Sequence, residues 1–168
     1  MADDDAGKRG PEGDGETNVG DRFDRLPATE AERVVAGRAT RAAVLDWWQE
    51  RFGIEPSVFE GYTFWERGAG KVWAFRGEVA TPVDIEGLGM TMLRTRQEHW
   101  KPTLEAVQRF GDHASTNTIH LSESEAAAFF AGEDQTLDWD GDWGYLVVTH
   151  EVAGAPEPLG VGLYVHGE

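Results

Sequence analysis

The chain has 168 residues, of which 40% are hydrophobic and 11% aromatic, enough for the core of one ordinary domain or two small ones. It has no cysteine, which excludes disulfides, thiolate zinc sites and a cysteine nucleophile. The net charge is −16, no apolar run approaches the roughly 20 residues that span a bilayer, and the start lacks a secretory signal, so we expect a soluble, cytoplasmic protein with no membrane partner.

The first half of the chain predicts a tail, a helix and a hairpin. Residues 1–37 are rich in Gly, Asp and Glu, which predicts a disordered acidic tail with at most a short helix near its end. Residues 40–52 predict a helix, which Thr40 caps and Gly53 ends. The aromatic-rich run 58–76 predicts a β-hairpin around a glycine-containing turn. Its aromatic side chains do not all fall on one face, which indicates either burial on both sides or aromatics left exposed for a partner.

The second half predicts alternating strands and helices. Residues 79–95 indicate one or two strands, and Pro102 at a first helical position opens a helix that Gly111 closes. A strand at 118–121 leads into the chain's strongest capping box, Ser122 to Glu125, and a further helix. The remaining elements are an acidic loop at 133–142 and two strands, 143–150 and 159–165. This order predicts an α+β fold with a mixed or antiparallel sheet.

Positive charge is confined to the middle of the chain. Residues 67–109 hold seven basic and five acidic residues, a net +2, whereas residues 110–168 hold eleven acids and no Lys or Arg. Abundant acid with only three lysines is typical of a salt-in halophile, where molar salt shortens the Debye length to about 3 Å; an acidic mesophilic protein is the alternative. A net-positive, Arg-rich segment retained in so acidic a chain indicates an anionic partner, and RNA phosphate is the natural one.

The second half resembles a known RNA-binding module. The resemblance covers residues 40–165 and rests on the following motifs: Gly87-Leu88-Gly89-Met90; Arg94, Arg96, His99 and Lys101-Pro102-Thr103; Leu121-Ser122-Glu123-Ser124-Glu125; Phe130-Ala131-Gly132-Glu133; Gly144-Tyr145-Leu146-Val147-Val148; and Pro158-Leu159-Gly160-Val161-Gly162. In this order they resemble the C-terminal PUA-like module, with its lead-in, of the Sun/Fmu family of rRNA cytosine-5 methyltransferases.

The resemblance implies three segments and a non-catalytic role. These are a disordered acidic tail (1–37), an α/β lead-in (38–80) and a PUA-like mixed β-sheet or barrel module (81–168). The family's methyltransferase core is missing, since there is no Gly-rich cofactor loop and no cysteine. The family pattern after Gly162 continues with a lysine and a basic tail, whereas this chain has Leu163 and ends at Glu168. We therefore expect a stand-alone, haloarchaeal-type RNA-binding protein with no enzymatic activity and no cofactor.

The candidate RNA contacts are basic and aromatic residues of the middle segment. Arg94 and Arg96 are two apart and should project from one face of a strand, and Lys101 precedes a helix whose N-terminus favours phosphate. Trp100 and His99 could stack on a splayed base, although a tryptophan is more often partly buried core. The predicted RNA-binding residues are Arg94, Arg96, Lys101, Trp100, His99, Arg67 and Lys71. The competing interpretation is ordinary salt bridges to Glu98 and Glu105.

Other chemistry is weakly supported by the sequence. Asp138 to Trp143 begins like an EF-hand loop but lacks its glycine and its final glutamate, so we predict no metal site. His150-Glu151 could form an acid/base pair, yet no nucleophile accompanies it. The expected partner is structured rRNA or tRNA, in ribosome biogenesis and rRNA processing or as the targeting half of a modification system, together with a methyltransferase or assembly factor. The alternatives are a protein–protein adaptor with exposed aromatics and a small hydrolase or isomerase.

Overall fold

A computed structural model describes residues 21–166 of the chain, and these residues form helices and strands in nearly regular alternation. The helices are α1 (Arg41–Phe52), α2 (Leu104–Phe110) and α3 (Glu123–Phe130). The strands are β1 (Phe23–Arg25), β2 (Tyr62–Arg67), β3 (Lys71–Arg76), β4 (Met90–Arg94), β5 (Lys101–Pro102), β6 (Thr118–His120), β7 (Gly144–Val152) and β8 (Ala155–Tyr164). The predicted α+β class is confirmed.

The strands form two sheets. Strands β1 to β5 make a five-stranded sheet in sequence order, and each strand is antiparallel to the next. Strands β6, β7 and β8 make a three-stranded mixed sheet, in which β6 runs parallel to β7 and β7 antiparallel to β8. Helix α2 contacts both sheets, since it packs against β4 and against β8. The two sheets are thus joined through one helix.

Helix α1 forms where its capping signals place it. The Thr40 side chain accepts a hydrogen bond from the N–H of Ala43 at 3.0 Å, and Gly53 ends the helix in the left-handed conformation with φ 65°. Val44, Trp48 and Phe52 lie at helical spacing and are completely buried. They enter the main hydrophobic core, so α1 is held by the same residues that made it predictable.

The hairpin β2–β3 buries aromatic side chains on both faces of its sheet. Phe64 belongs to the main core with α1 and α2, whereas Trp65 and Trp73 belong to a second cluster on the opposite face, with Phe23 and Leu88. Successive residues of a strand point to opposite faces, so the neighbours Phe64 and Trp65 pack in different cores. This confirms the prediction that the hairpin is buried on both sides.

The predicted tail contains an ordered strand. Residues 1–20, most of that tail, lie outside the described residues. Phe23, however, belongs to β1, is 1% exposed and packs at 5.3 Å from the Trp73 ring centroid. The predicted disorder is therefore wrong for the segment that begins at residue 21. Because this segment has few large apolar residues, its composition did not indicate that Phe23 anchors it in the fold.

The main core crosses the boundary predicted after residue 80. It includes Val44 and Trp48 from the predicted lead-in and Val107, Phe110 and Val147 from the predicted second module. Strands β3 and β4, one on each side of that boundary, pair directly. Packing thus joins the two predicted segments because β4 completes the sheet that the hairpin begins.

Strand β4 is shorter and more irregular than residues 79–95 suggested. The register with β3 shifts between Val72 and Trp73, and this bulge lets Met92 and Leu93, which are consecutive, both be completely buried. Residues 77–89 form no strand and cover the second cluster, since Val79, Val83 and Leu88 pack there; Val83 also forms a single antiparallel bridge with Phe23 on β1. Successive strand residues ordinarily point to opposite faces, and the bulge is the place where β4 departs from that alternation.

Helices α2 and α3 begin at side-chain caps. Pro102 belongs to β5, and α2 begins two residues later because Thr103 accepts from the N–H of Ala106 at 3.2 Å, so the predicted helix start at Pro102 is wrong. The Ser122–Glu125 capping box of α3 is confirmed. Within residues 21–166, no helix has the length and apolarity needed to cross a membrane.

Candidate nucleic-acid interface

Four basic residues lie side by side across four strands of the five-stranded sheet. Lys71 on β3 is opposite Arg94 on β4, and Arg94 is opposite Lys101 on β5. Arg67 ends β2 directly before the hairpin loop 68–70 that leads to Lys71. Directly opposed residues of antiparallel strands project on the same side. We call Arg67, Lys71, Arg94 and Lys101 the basic row.

The aromatic pair in the hairpin shows which face the basic row occupies. Trp65 and Trp73 are opposed, and Arg67 and Lys71 lie two residues from them along the same strands. Side chains two apart share a face, so the hairpin half of the row lies on the face of the second hydrophobic cluster. The Lys71 Nζ is accordingly 5.7 Å from the Trp73 ring centroid. The hairpin half of the basic row thus lies on the same face as the aromatic side chains of the second cluster.

No acid among residues 21–166 forms a salt bridge with a cation of the basic row. Among residues 21–166, none of the four has a salt-bridge partner within 4.0 Å. The competing prediction was that these basic residues form salt bridges with Glu98 and Glu105. Among the described residues, neither acid forms a salt bridge with the row. Arg67, Arg94 and Lys101 are exposed, and Lys71 is half-buried. The row is free to meet an external anion.

Arg96 does not extend the row as predicted. Strand β4 ends at Arg94, and the Arg96 side chain folds over the hairpin loop, where its Nε donates to the Ala69 carbonyl at 3.0 Å. Gly70 leaves room for this contact, since a Cβ there would collide with the Arg96 side chain. The expectation that Arg94 and Arg96 share one strand face is wrong. Arg96 instead fixes the loop that joins Arg67 to Lys71.

Trp100 and His99 line a cavity of about 550 Å³ beside the row. Helix α1 and the start of β7 supply its other walls. The aromatic walls are Trp47, His99, Trp100, Trp143 and Tyr145. Trp100 is half-buried against the main core, and the rings of His99 and Trp143 meet edge to face at 4.9 Å. We call this cavity the aromatic pocket.

The rim of the aromatic pocket is acidic. Asp46, Glu50 and Glu98 line it, and Arg51 is the one Lys or Arg among its lining residues. The Nε of Arg51 donates to the Tyr145 carbonyl at 2.8 Å, so this side chain is held against the β7 wall of the pocket. Desolvation lowers its pKa, and the carboxylate of Asp142 opposes that shift. Sequence reasoning missed the α1 and β7 residues of this pocket because they lie far apart along the chain.

A buried charged cluster lies beneath the hairpin loop. Glu66 is 0% exposed, and among the described residues neither of its carboxylate oxygens has a well-oriented hydrogen bond. Burial raises the pKa of Glu66 to about 7, and the nearby Gly70 and Ala39 N–H groups and Arg38 oppose this shift. Arg38 in turn bonds Asp24 Oδ2 at 2.6 Å and the Gly68 carbonyl at 2.8 Å.

A second cavity, of about 750 Å³, lies on another part of the surface. Arg76, Arg109, Glu60, Glu105 and His113 line it around the Phe110 ring. Its lining is mixed in charge, and Arg109 Nε donates to the Tyr62 hydroxyl at 3.1 Å. The arrangement offers neither an excess of one charge nor a nucleophile, so it indicates no specific chemistry.

The remaining sequence candidates do not form a reaction centre. His150 donates through Nδ1 to the Leu121 carbonyl at 2.7 Å, and its ring stacks on His120 at 6.1 Å. Its partner in the predicted pair, Glu151, is exposed on β7. Across residues 21–166, no three His, Asp or Glu side chains are grouped as metal ligands, and the acidic run from Asp138 is part of a loop.

Comparison with known proteins gives one family match. Residues 9–89 match the model of a family of unknown function, DUF7122. This match covers β1 to β3 and α1, including Arg67, Lys71 and Trp47, and ends before β4. Neither the curated proteins nor the solved structures contain a significant match to the chain.

Proposed function

We propose that this protein is a non-catalytic RNA-binding protein of the cytoplasm that contacts the RNA backbone through the basic row. The observation that carries the proposal is the alignment of Arg67, Lys71, Arg94 and Lys101 across four strands, without a salt bridge to any of them from residues 21–166. The proposed targets are structured rRNA or tRNA, in ribosome biogenesis or as a targeting module for a modification enzyme. The sequence resemblance to a PUA-like module supports the same proposal.

The geometry of the row suits a phosphate backbone. Neighbouring strands lie about 4.8 Å apart, so four adjacent strands carry the row over about 14 Å. A row of this length can contact several successive phosphates, whereas a single cation contacts one. Arg67 and Arg94 contribute guanidinium groups, whose planar donors match phosphate oxygens in pairs. Structured RNA is recognised largely through its backbone and shape, which is the kind of contact a row of cations provides.

The acidic charge of the rest of the chain favours binding at the face that carries the basic row. Residues 110–168, which form α3 and the three-stranded sheet, carry eleven acids and no Lys or Arg. Phosphate is repelled by such a surface and attracted to the row on the other sheet. The contrast favours one binding face over general adhesion to nucleic acid.

A protein–protein adaptor is the second candidate function, and exposed apolar side chains favour it. Phe130 at the end of α3 is 69% exposed, Trp143 47% and Leu163 on β8 59%. Among the described residues, strand β8 is also an edge of its sheet, and an edge strand offers backbone hydrogen-bonding groups to another chain. A partner would cover these side chains without using the basic row.

RNA binding by the purified protein tests the proposal. We expect a Lys71→Gln/Arg94→Gln variant to bind a structured rRNA or tRNA fragment more weakly, and to reduce the slope of log affinity against log salt by about 1.5, because two phosphate contacts are lost. The matched control is Arg76→Gln/Arg109→Gln, which removes the same charge at the second cavity.

The control decides what a loss of binding means. If both double variants lose affinity equally, the effect comes from net charge and the row is not the site. If the parent protein binds no RNA, the function itself is wrong and the adaptor gains support. Equal melting temperatures of the variants will show that the fold is unchanged.

A further inference from the structure

The aromatic pocket combines two features that the proposed RNA contacts do not explain. Its walls are aromatic, with Trp47, Trp100 and Trp143 supplying the largest rings, and its rim is acidic. An acidic rim opposes phosphate, so the pocket is not an extension of the basic row. Aromatic faces carry negative electrostatic potential and attract organic cations.

Three acids line the aromatic pocket, and among residues 21–166 no Lys or Arg forms a salt bridge with them. Asp46 and Glu50 are one turn apart on α1, a spacing at which like charges repel each other on a helix. Within the described part of the chain, Asp46, Glu50 and Glu98 all lack a salt-bridge partner within 4.0 Å. A positively charged guest would relieve this repulsion.

Two cations of the chain, Lys101 and Arg51, lie near the Tyr145 wall of the pocket. The Lys101 Nζ stands 5.9 Å from the Tyr145 ring centroid, outside the residues that line the cavity. Arg51, which also lines the cavity, donates to the Tyr145 carbonyl, and within residues 21–166 it makes no salt bridge within 4.0 Å to Asp46, Glu50 or Glu98. Within the part of the chain that the structure describes, the tryptophan surfaces and the three carboxylates are therefore available to a ligand.

We propose that the aromatic pocket binds a methylated ammonium cation, with the tryptophan rings contacting its methyl groups and Asp46, Glu50 and Glu98 compensating its charge. A cation of this class is large and weakly hydrated, which suits a cavity of about 550 Å³ with aromatic walls. A metal ion needs a converging set of oxygen or nitrogen ligands, and residues 21–166 offer no such group at this place. The inference is independent of the proposed RNA binding.

Choline and its neutral isostere, 3,3-dimethylbutan-1-ol, test the proposal, because they share a shape and differ in charge. We expect choline to change the tryptophan fluorescence saturably at constant ionic strength, and calorimetry to give the same affinity, while the alcohol binds at least tenfold more weakly. The proposal is overturned if choline does not bind or if the two compounds bind equally. It is also overturned if guanosine binds and choline does not, since the pocket then belongs to a nucleobase.

Two exposed residues allow the pocket to be altered without disturbing the core. Trp143→Ala should weaken choline binding about threefold to thirtyfold through the lost cation–π contact. Glu98→Gln should weaken it about twofold to fivefold, as expected for a solvent-exposed charge pair. The matched control, Glu105→Gln, removes an exposed acid at the second cavity and should leave choline binding unchanged. Equal binding by all variants would place the choline site elsewhere and refute the proposal.

The same chemistry can come from a free metabolite or from a methylated lysine of a protein. A peptide with one trimethyllysine, compared with its unmodified lysine form, separates these sources. Tighter binding of the methylated peptide than of choline assigns the pocket to a protein partner, and binding of choline alone assigns it to a small molecule. RNA affinity measured with saturating choline should be unchanged, so failure of either proposal can be recognised separately.

Discussion

Glu66 is the residue whose placement departs furthest from its ordinary behaviour. A carboxyl group with no exposed surface loses its hydration, and the charged form is favoured only if charges and donors replace the water. Arg38 and Arg96 lie near enough to favour the carboxylate, yet Arg38 already bonds Asp24, and Arg96 bonds the hairpin loop. Burial prevails, and the pKa of Glu66 rises to about 7.

The raised pKa of Glu66 predicts that the protein loses stability as pH rises. The folded protein holds this proton up to about pH 7, whereas the unfolded chain releases it near the ordinary value of 4.5. The contribution of Glu66 to the free energy of unfolding should therefore be greatest below pH 4.5 and fall, by up to about 3 kcal/mol, as pH rises from 4.5 through 7. Urea denaturation between pH 5 and 8 at constant ionic strength measures this change.

A Glu66→Gln variant shows whether this residue is responsible. The amide has nearly the same shape and cannot lose a proton, so the slope between pH 5 and 7 should flatten and the variant should exceed the parent in stability at pH 8. Glu60→Gln, which removes an exposed acid, should keep the parent's slope. A parent-like pH dependence of the Glu66→Gln variant would show that another group governs it.

At the scale of an element, Gly89 controls how β4 enters the sheet. Its φ is +67°, which disfavours other residues, and a Cβ at this position would collide with the main-chain carbonyl of Ala74 on the neighbouring strand β3. The strand neighbour is backbone and cannot move aside as a flexible side chain would. We expect Gly89→Ala to destabilise the protein by about 3 kcal/mol or more, measured by urea denaturation.

Gly61 provides the matched control for Gly89. Its φ is +81°, and a Cβ there meets nothing within 4 Å, so Gly61→Ala carries the backbone strain without the collision. It should cost only about 1–2 kcal/mol. If the two variants are equally destabilised, the close approach of β4 to Ala74 is not what requires glycine.

Local signals account for the elements that the sequence predicted well. The Thr40 cap and the Gly53 terminus bracket α1, and the Ser122–Glu125 box starts α3, because each depends on neighbours in the chain. The shortened β4 depends on a bulge opposite β3, which is a long-range feature. The position of β1 likewise depends on a distant pair of tryptophans, so composition around Phe23 could not reveal it.

The candidate site divides in the same way. The sequence identified Arg67, Lys71, Arg94 and Lys101 as exposed cations, but only strand pairing aligns them in a row. It also identified Trp100 and His99 without their partners, since the other walls of the aromatic pocket come from α1 and β7. The sequence identified which residues could contact a ligand, whereas the fold was needed to show which of them lie together.

For the whole molecule, charge is divided between the two sheets. The basic row lies on the five-stranded sheet, and the segment that forms the three-stranded sheet and α3 carries acids without any Lys or Arg. Salt acts differently on these two parts. It weakens attraction between the row and phosphate, and it weakens repulsion among the acids. RNA affinity and fold stability should therefore change in opposite directions as salt increases.

The net charge of −16 predicts that salt stabilises the folded protein. Raising the salt from 0.1 to 1 M shortens the Debye length from about 10 to 3 Å, which screens the repulsion that compact packing imposes on the acids. The thermal midpoint should rise over this range, and an Asp134→Asn/Asp138→Asn/Asp140→Asn variant, which removes exposed acids only, should start higher at low salt and rise less. Scanning calorimetry in NaCl and in KCl measures both midpoints. If the variant gains as much from salt as the parent does, general salting-out explains the increase and repulsion among these acids does not.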